Sequence, residues 1–259
     1  MIDTHAHLTD SRYQNPLELI QRASQSGVNK IITVGYHLES SVESARIAEQ
    51  NENVFFTAGV HPSDCETLDN SVIAQLIPLL RREKCLAVGE IGLDYHYGKD
   101  NKEEQKIAFN KQLEIAGELN LPVVIHSREA TQDMLSILSK HAPNLKKGFL
   151  MHCYSESAES AKEYLKLGAY FAFGGAITFK NAKKEDIIKS IPIDRVVCET
   201  DCPYMTPVPY RGQLNEPQRV REVYIKMAEV YGLPLEDFIK IVAKNASRFF
   251  CESKLGERL

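Results

Sequence analysis

Eight short, β-rich apolar runs recur along the 259-residue chain, and helical patterns lie between them. The runs are Met1–His5, Lys30–Gly35, Val54–Val60, Cys85–Glu90, Pro122–His126, Gly148–His152, Ala169–Phe173 and Arg195–Glu199. Most have no polar alternation, as expected of parallel strands covered on both faces. Between them, Asn15-Pro16 opens a helix with a cap and a proline at its first position, and Gly27 follows its last turn. Glu103–Leu119, Ala130–Leu138 and Glu156–Leu167 carry apolar residues at helical spacing, and Gly168 stops the last of these. Val220, Val223, Met227 and Val230 mark a further helix, and two stretches, Leu235–Ala243 and Asn245–Phe250, close the chain. Eight such units predict an α/β fold, a (β/α)8 TIM barrel, with residues 1–259 as one domain. An open doubly wound sheet is the alternative, because periodicity does not show closure.

Composition bounds what such a chain can do. At 43% hydrophobic and 25% charged it can bury a large core without disulfide or metal staples. Lys and Arg total 31 against 35 Asp and Glu, a net charge of −4, which excludes a bulk basic coat. The six cysteines form no C-x-x-C pair, and no leader-like segment opens the chain, so we expect reduced thiols and a cytoplasmic protein. No apolar run reaches membrane-spanning length. A closed barrel exposes no strand edge, so a monomer is expected. The Pro-rich segment Cys202–Pro217 follows the eighth run, where a barrel would place an active-site loop.

The histidines are unevenly placed. His5, His7, His37, His61, His96, His126 and His152 all fall at or just past the C-terminal ends of the runs, and only His141 lies elsewhere, in a helix-to-strand connection. Barrel active sites are built on that rim. His5 and His7 are two residues apart on a strand, so both imidazoles face one side and can share a divalent ion. Glu90 ends the fourth run between Gly89 and Gly92, and a carboxylate there can bridge two ions. Glu199 and Asp201 are again two apart. Two acids on one face repel unless a cation sits between them. Asp201, nearer the rim, is the better ligand and proton acceptor, and Glu199, one layer deeper, the better orienting acid behind a ligand. The inventory is His5, His7, Glu90, His126, His152 and Asp201, too many donors for one tetrahedral ion and suited to two divalent ions, Zn²⁺, Mg²⁺ or Mn²⁺. Cys153, Cys198 and Cys202 alternate in direction with these donors and are expected to pack behind the barrel wall. Neither G-x-x-x-x-G-K nor G-x-G-x-x-G follows the first run, and no G-x-S-x-G elbow is present.

Several stretches together resemble the TatD-like deoxyribonucleases of the amidohydrolase superfamily. They begin with Ile2-Asp-Thr-His-Ala-His-Leu8, Gly59-Val-His-Pro62 and Val88-Gly-Glu-Ile-Gly-Leu-Asp-Tyr95. They continue with Pro122-Val-Val-Ile-His-Ser-Arg-Glu-Ala130, Met151-His-Cys153, Thr178-Phe-Lys-Asn-Ala182, Glu199-Thr-Asp-Cys-Pro203 and Pro209-Tyr-Arg-Gly-Gln-Leu-Asn-Glu-Pro217. The resemblance implies a TIM barrel with a two-metal hydrolase site. In it His5, His7 and Asp201 hold one ion, His126 and His152 the other, and Glu90 bridges. It further implies hydrolysis at DNA ends, while deacylation of D-aminoacyl-tRNA is reported for some members. Two departures stand out: Thr9 where many members have Asp or Asn, and His152-Cys-Tyr-Ser-Glu156 where many read His-Cys-Phe-x-Gly. Neither touches a ligand, and the second bears on substrate preference.

A DNA end needs cations and stacking faces at the mouth. The rim loops carry Arg12, Tyr13, Tyr95, His96, Tyr97, Lys99, Arg128, Lys180, Tyr210 and Arg211, of which Arg128 and Arg211 are the expected substrate contacts. His61 reads either as a phosphate contact or as an imidazole packing its own turn. Three rivals remain: an ester deacylase, another amidohydrolase-superfamily hydrolase, and a non-enzymatic scaffold barrel. Glu90 at the position where several amidohydrolases carry a carboxylated lysine counts against the second, and the full donor set against the third.

Overall fold

The computed structural model describes residues 1–97 and 100–250. The eight strands are β1 (Ile2–Ala6), β2 (Lys30–Val34), β3 (Val54–Ala58), β4 (Cys85–Asp94), β5 (Val123–Arg128), β6 (Phe149–Met151), β7 (Tyr170–Phe173) and β8 (Val196–Cys198). They lie in chain order and every neighbouring pair is parallel. Closure comes where the chain leaves β8: Asp201 N–H donates to His5 O at 2.9 Å and His7 N–H to Cys202 O at 2.8 Å. Thr4 Oγ1 adds a bond to Cys198 O at 3.1 Å. The open sheet is thereby excluded and the fold is a TIM barrel. Among the described residues no helix is long and apolar enough to cross a membrane.

The helices are α1 (Pro16–Gln25), α2 (Leu38–Gln50), α3 (Asn70–Leu80), α4 (Lys102–Leu119), α5 (Thr131–His141), α6 (Ala158–Lys166), α7 (Glu185–Ser190), α8 (Val220–Tyr231) and α9 (Leu235–Phe250). The Asn15 side chain caps α1 by accepting from Leu17 N–H, as its sequence requires. Three differences from the sequence reading have physical causes. The last two stretches are one helix, because Asn245 turns inward and its amide donates to Ile193 O and Val196 O, both at 2.8 Å, anchoring α9 to β8. α5 extends to His141, so that residue ends a helix and its Nε2 lies 2.8 Å from Asn110 Oδ1. α2 has no aliphatic stripe to read, because its buried face is largely Ser40, Ser41, Ser44, Ala45 and Ala48. Those small residues let it approach the barrel so closely that a Cβ on Gly35 would meet Ser41 Oγ.

β4 is the longest strand and runs past Glu90 in register with β5, pairing Gly92 with His126 and Asp94 with Arg128. Gly92 sits at φ +147°, and a Cβ there would fall 2.0 Å from His126 O. Only glycine permits that approach. The segment after β8 crosses the mouth, and Asn215 pins it from inside, its amide donating to Thr200 O (3.1 Å) and Tyr204 O (2.6 Å).

Candidate metal centre

Five strands deliver donors to one point at the C-terminal mouth. His5 and His7, from the end of β1, bring their Nε2 atoms within 3.3 Å of each other. Beneath them Asp3 is fully buried and accepts from Thr200 N–H (2.9 Å) and Thr200 Oγ1 (2.6 Å), tying β1 to the exit of β8. Glu90, from β4, stands between two sets of rings. Its Oε2 lies 3.4 Å from His5 Nε2 and 3.9 Å from His7 Nε2. Its Oε1 lies 3.0 Å from His126 Nδ1, 3.6 Å from His152 Nε2 and 3.8 Å from His61 Nε2. Asp201 Oδ1 is 3.4 Å from His7 Nε2 and 3.8 Å from His152 Nε2. The Asp201 side chain is 13% exposed against 4% for Glu90, so it is the carboxylate nearer solvent. Asp201 and Cys153 both hold left-handed backbone, φ 53° and 46°, a conformation that costs about 1–3 kcal/mol in a non-glycine residue and clusters at functional sites.

Glu199 lies below the cluster and is fully buried. Its Oε1 accepts from Cys153 N–H at 2.7 Å and sits 2.9 Å from His152 Nδ1, while Oε2 lies 4.0 Å from His5 Nδ1. This is the place the sequence spacing assigned to it, behind the donors. Asp94 was not anticipated. Its Oδ2 is 3.0 Å from His126 Nε2, and its Oδ1 accepts from the N–H groups of His96 and Tyr97. Its only sequence signal is its place in the Val88–Tyr95 stretch, past the end of the fourth run.

Titration follows this crowding. Burial by itself would raise Glu90, but His152, His126 and His5 hold its carboxyl well below the usual range. Burial likewise opposes protonation of His152, yet Glu199, Glu90 and Asp201 push its pKa up to about 10. His126 is held at about 9 by Asp94 and Glu90 against the same burial. Burial pushes His61 down to about 4. Negative charge has thus collected where imidazoles answer it, a balance a divalent cation can replace. Among the described residues four groups bring their donor atoms within 4.8 Å of one another: His5–His7–Glu90, His5–His152–Asp201, His61–Glu90–His126 and His152–Cys153–Glu199. Nitrogen and oxygen donors in such groups fit divalent transition metals or Mg²⁺, so the residues present fit the implied ions.

The cluster floors a cleft of about 730 Å³ whose walls include Tyr36, Tyr97, Phe173, Phe179 and Tyr204. His61 and Arg128 line it. Arg128 lies 4.9 Å over the Tyr97 ring and Arg12 lies 4.4 Å over Tyr204. Arg211 stands behind the wall, 3.9 Å over Phe179, with Nη1 donating to Thr206 O. Lys184, Tyr36 and Asp10 also line the cleft and had not been singled out. Several rim expectations change. Tyr95 is buried and its hydroxyl donates to Asp133, away from the mouth. Tyr13 donates to Asn215 O, Tyr210 lies beneath Arg219, and His96 pairs with Glu129. Lys180 is exposed, and Lys99 lies outside the described residues. Cys198 and Cys202 are fully buried, but Cys153 lines the cleft, because its left-handed turn reverses the strand alternation.

A barrel with a histidine–carboxylate cluster at its mouth defines a class that also hosts many hydrolases. Comparison narrows it. Residues 2–251 match the family of TatD-related DNases, and the chain belongs to that family. It is 40% identical over 252 residues to an uncharacterized metal-dependent hydrolase, YabD, of Bacillus subtilis, covering 96% of this chain and 98% of that one. It is 34% identical over 255 residues to an uncharacterized metal-dependent hydrolase, YcfH, of Escherichia coli, covering 96% and 95%. Among solved structures, the TatD homologue YjjV of Escherichia coli superposes with a TM-score of 0.91 at 31% identity, covering 96% of this chain and 97% of that one.

Proposed function

We propose that the chain is a divalent-metal-dependent hydrolase, a deoxyribonuclease that cleaves phosphodiester bonds at DNA ends. The observation that carries this reading is the division of Glu90: one oxygen faces the imidazoles of His5 and His7, the other those of His126, His152 and His61. In this reading Glu90 would be shared between two ions, and His5, His7 and Asp201 would hold one and His126 and His152 the other. When bound, two divalent ions acidify a water and neutralise charge on a phosphoryl group. They also outweigh, locally, the chain's net charge of −4.

The protein's own groups do the rest. As the water oxygen bonds to phosphorus, its proton passes to Asp201, which is more exposed to the cleft than Glu90. The ester P–O bond breaks, and Asp201 returns the proton to the leaving oxygen. His61 and Arg128 line the cleft where non-bridging oxygens would lie. The rings of Tyr36, Tyr97, Phe179 and Tyr204 offer faces for unstacked bases, which favours single-stranded ends as substrate. We take the unit to be a cytoplasmic monomer. The test offers metal-free protein, restored with Mg²⁺, Mn²⁺ or Zn²⁺, single-stranded DNA, duplex DNA, RNA and a D-aminoacyl-tRNA. Metal-dependent cleavage of DNA is expected. Deacylation without any nuclease activity would replace this reading with the ester deacylase.

A further inference from the structure

Resting on the reading of this mouth as a metal centre, we propose that Asp94 is a positioning residue that decides which nitrogen of His126 faces the centre. Glu90, Gly92 and Asp94 share one face of β4, and the absence of a side chain at Gly92 lets His126 of β5 sit between the two acids. The ring is clasped from both sides: Nδ1 lies 3.0 Å from Glu90 Oε1 and Nε2 lies 3.0 Å from Asp94 Oδ2. Asp94 Oδ1 is already committed to two backbone donors, His96 N–H at 2.9 Å and Tyr97 N–H at 3.0 Å. An ionised carboxylate so held only accepts. Glu90 Oε1 faces Nδ1 at the same distance, so an ion bound there would replace the Nδ1 proton, and the proton that stays is the one on Nε2, held by Asp94. His152 is turned the other way, with Nδ1 2.9 Å from Glu199 Oε1 but outside hydrogen-bond geometry, and Nε2 towards Glu90 and Asp201. The two rings thus turn different nitrogens towards Glu90, and for His126 it is Asp94 that holds the outer one. A carboxylate behind a ligating histidine typically contributes about 10–100-fold in metal affinity.

Asp94 also caps the turn that carries Tyr97, so the test must separate the two roles. Asp94→Asn keeps an oxygen for the two backbone donors but turns an N–H towards His126 Nε2, driving the ring proton to Nδ1. Asp94→Ala removes the cap and leaves Nε2 to water, which accepts either tautomer. EDTA-stripped protein titrated with Zn²⁺ by calorimetry, with bound zinc counted, reads the outcome. Asp94→Asn is expected to weaken binding on the His126 side by roughly 10–100-fold, and by more than Asp94→Ala does. Binding by Asp94→Asn equal to wild type, or a larger loss in Asp94→Ala, would overturn the role. Long-range ¹H–¹⁵N correlation of the zinc-loaded wild type decides the matter even where a variant fails to fold: a proton on His126 Nε2 supports it, and a proton on Nδ1 refutes it. A wild-type protein that takes up no zinc removes the metal centre and this role together, whereas loading that is indifferent to Asp94→Asn removes this role alone.

Discussion

At the scale of single residues, the mouth is built by a few carboxylates that face different ways. Glu90 looks into two groups of imidazoles, Asp201 looks towards solvent, and Glu199 looks up from below. Glu90→Gln removes the shared charge while keeping shape. It is expected to lower bound-metal stoichiometry, read by elemental analysis, and to cost more activity than the roughly 10–100-fold typical of an outer-lying acid. Full metal content with full activity would show that Glu90 holds nothing. Much of this was legible in the chain, because pairs two residues apart on a strand share a face and strand ends share a rim: His5 with His7 and Glu199 with Asp201 follow from spacing alone. Asp94 was not legible, since its role depends on the register that lays β4 against β5. Cys153 was misplaced because alternation ends at the residue whose φ is 46°.

At the scale of elements, the fit between β4 and β5 governs the geometry of the centre. Gly92 has no room for a methyl group, with His126 O 2.0 Å from where a Cβ would stand and φ at +147°. Gly92→Ala is expected to destabilise the fold by about 2 kcal/mol or more through overpacking and backbone strain. A lower urea midpoint at unchanged m-value measures this, and an unshifted midpoint would mean that the two strands separate without cost. Strands were readable because a buried parallel strand is apolar throughout. Helices were readable where an aliphatic stripe faces the barrel, as in α4 with Leu113 and Ala116. α2 escaped because serine and alanine do its packing, and α9 looked broken because Asn245 is polar and yet buried.

At the scale of the whole molecule, a buried cluster of carboxylates and imidazoles drawn from strands at both ends of the chain must be held together by the barrel itself. Ions that bind only the folded state add stability by mass action, about 2.7 kcal/mol at a free concentration 100 times Kd. For a chain of this length that is a rise of roughly 5–10 °C in Tm. Differential scanning calorimetry with added Zn²⁺ or Mn²⁺ against EDTA checks it, and coincident transitions would argue that the site does not load. The most direct measurement of the central claim is cleavage of an end-labelled, single-stranded linear oligonucleotide by wild type and Glu90→Gln side by side, with Mn²⁺ and with EDTA. The account predicts progressive shortening from an end by the wild type with Mn²⁺, with the other three reactions close to blank. Shortening that survives EDTA, or that Glu90→Gln performs as well as wild type, would contradict it.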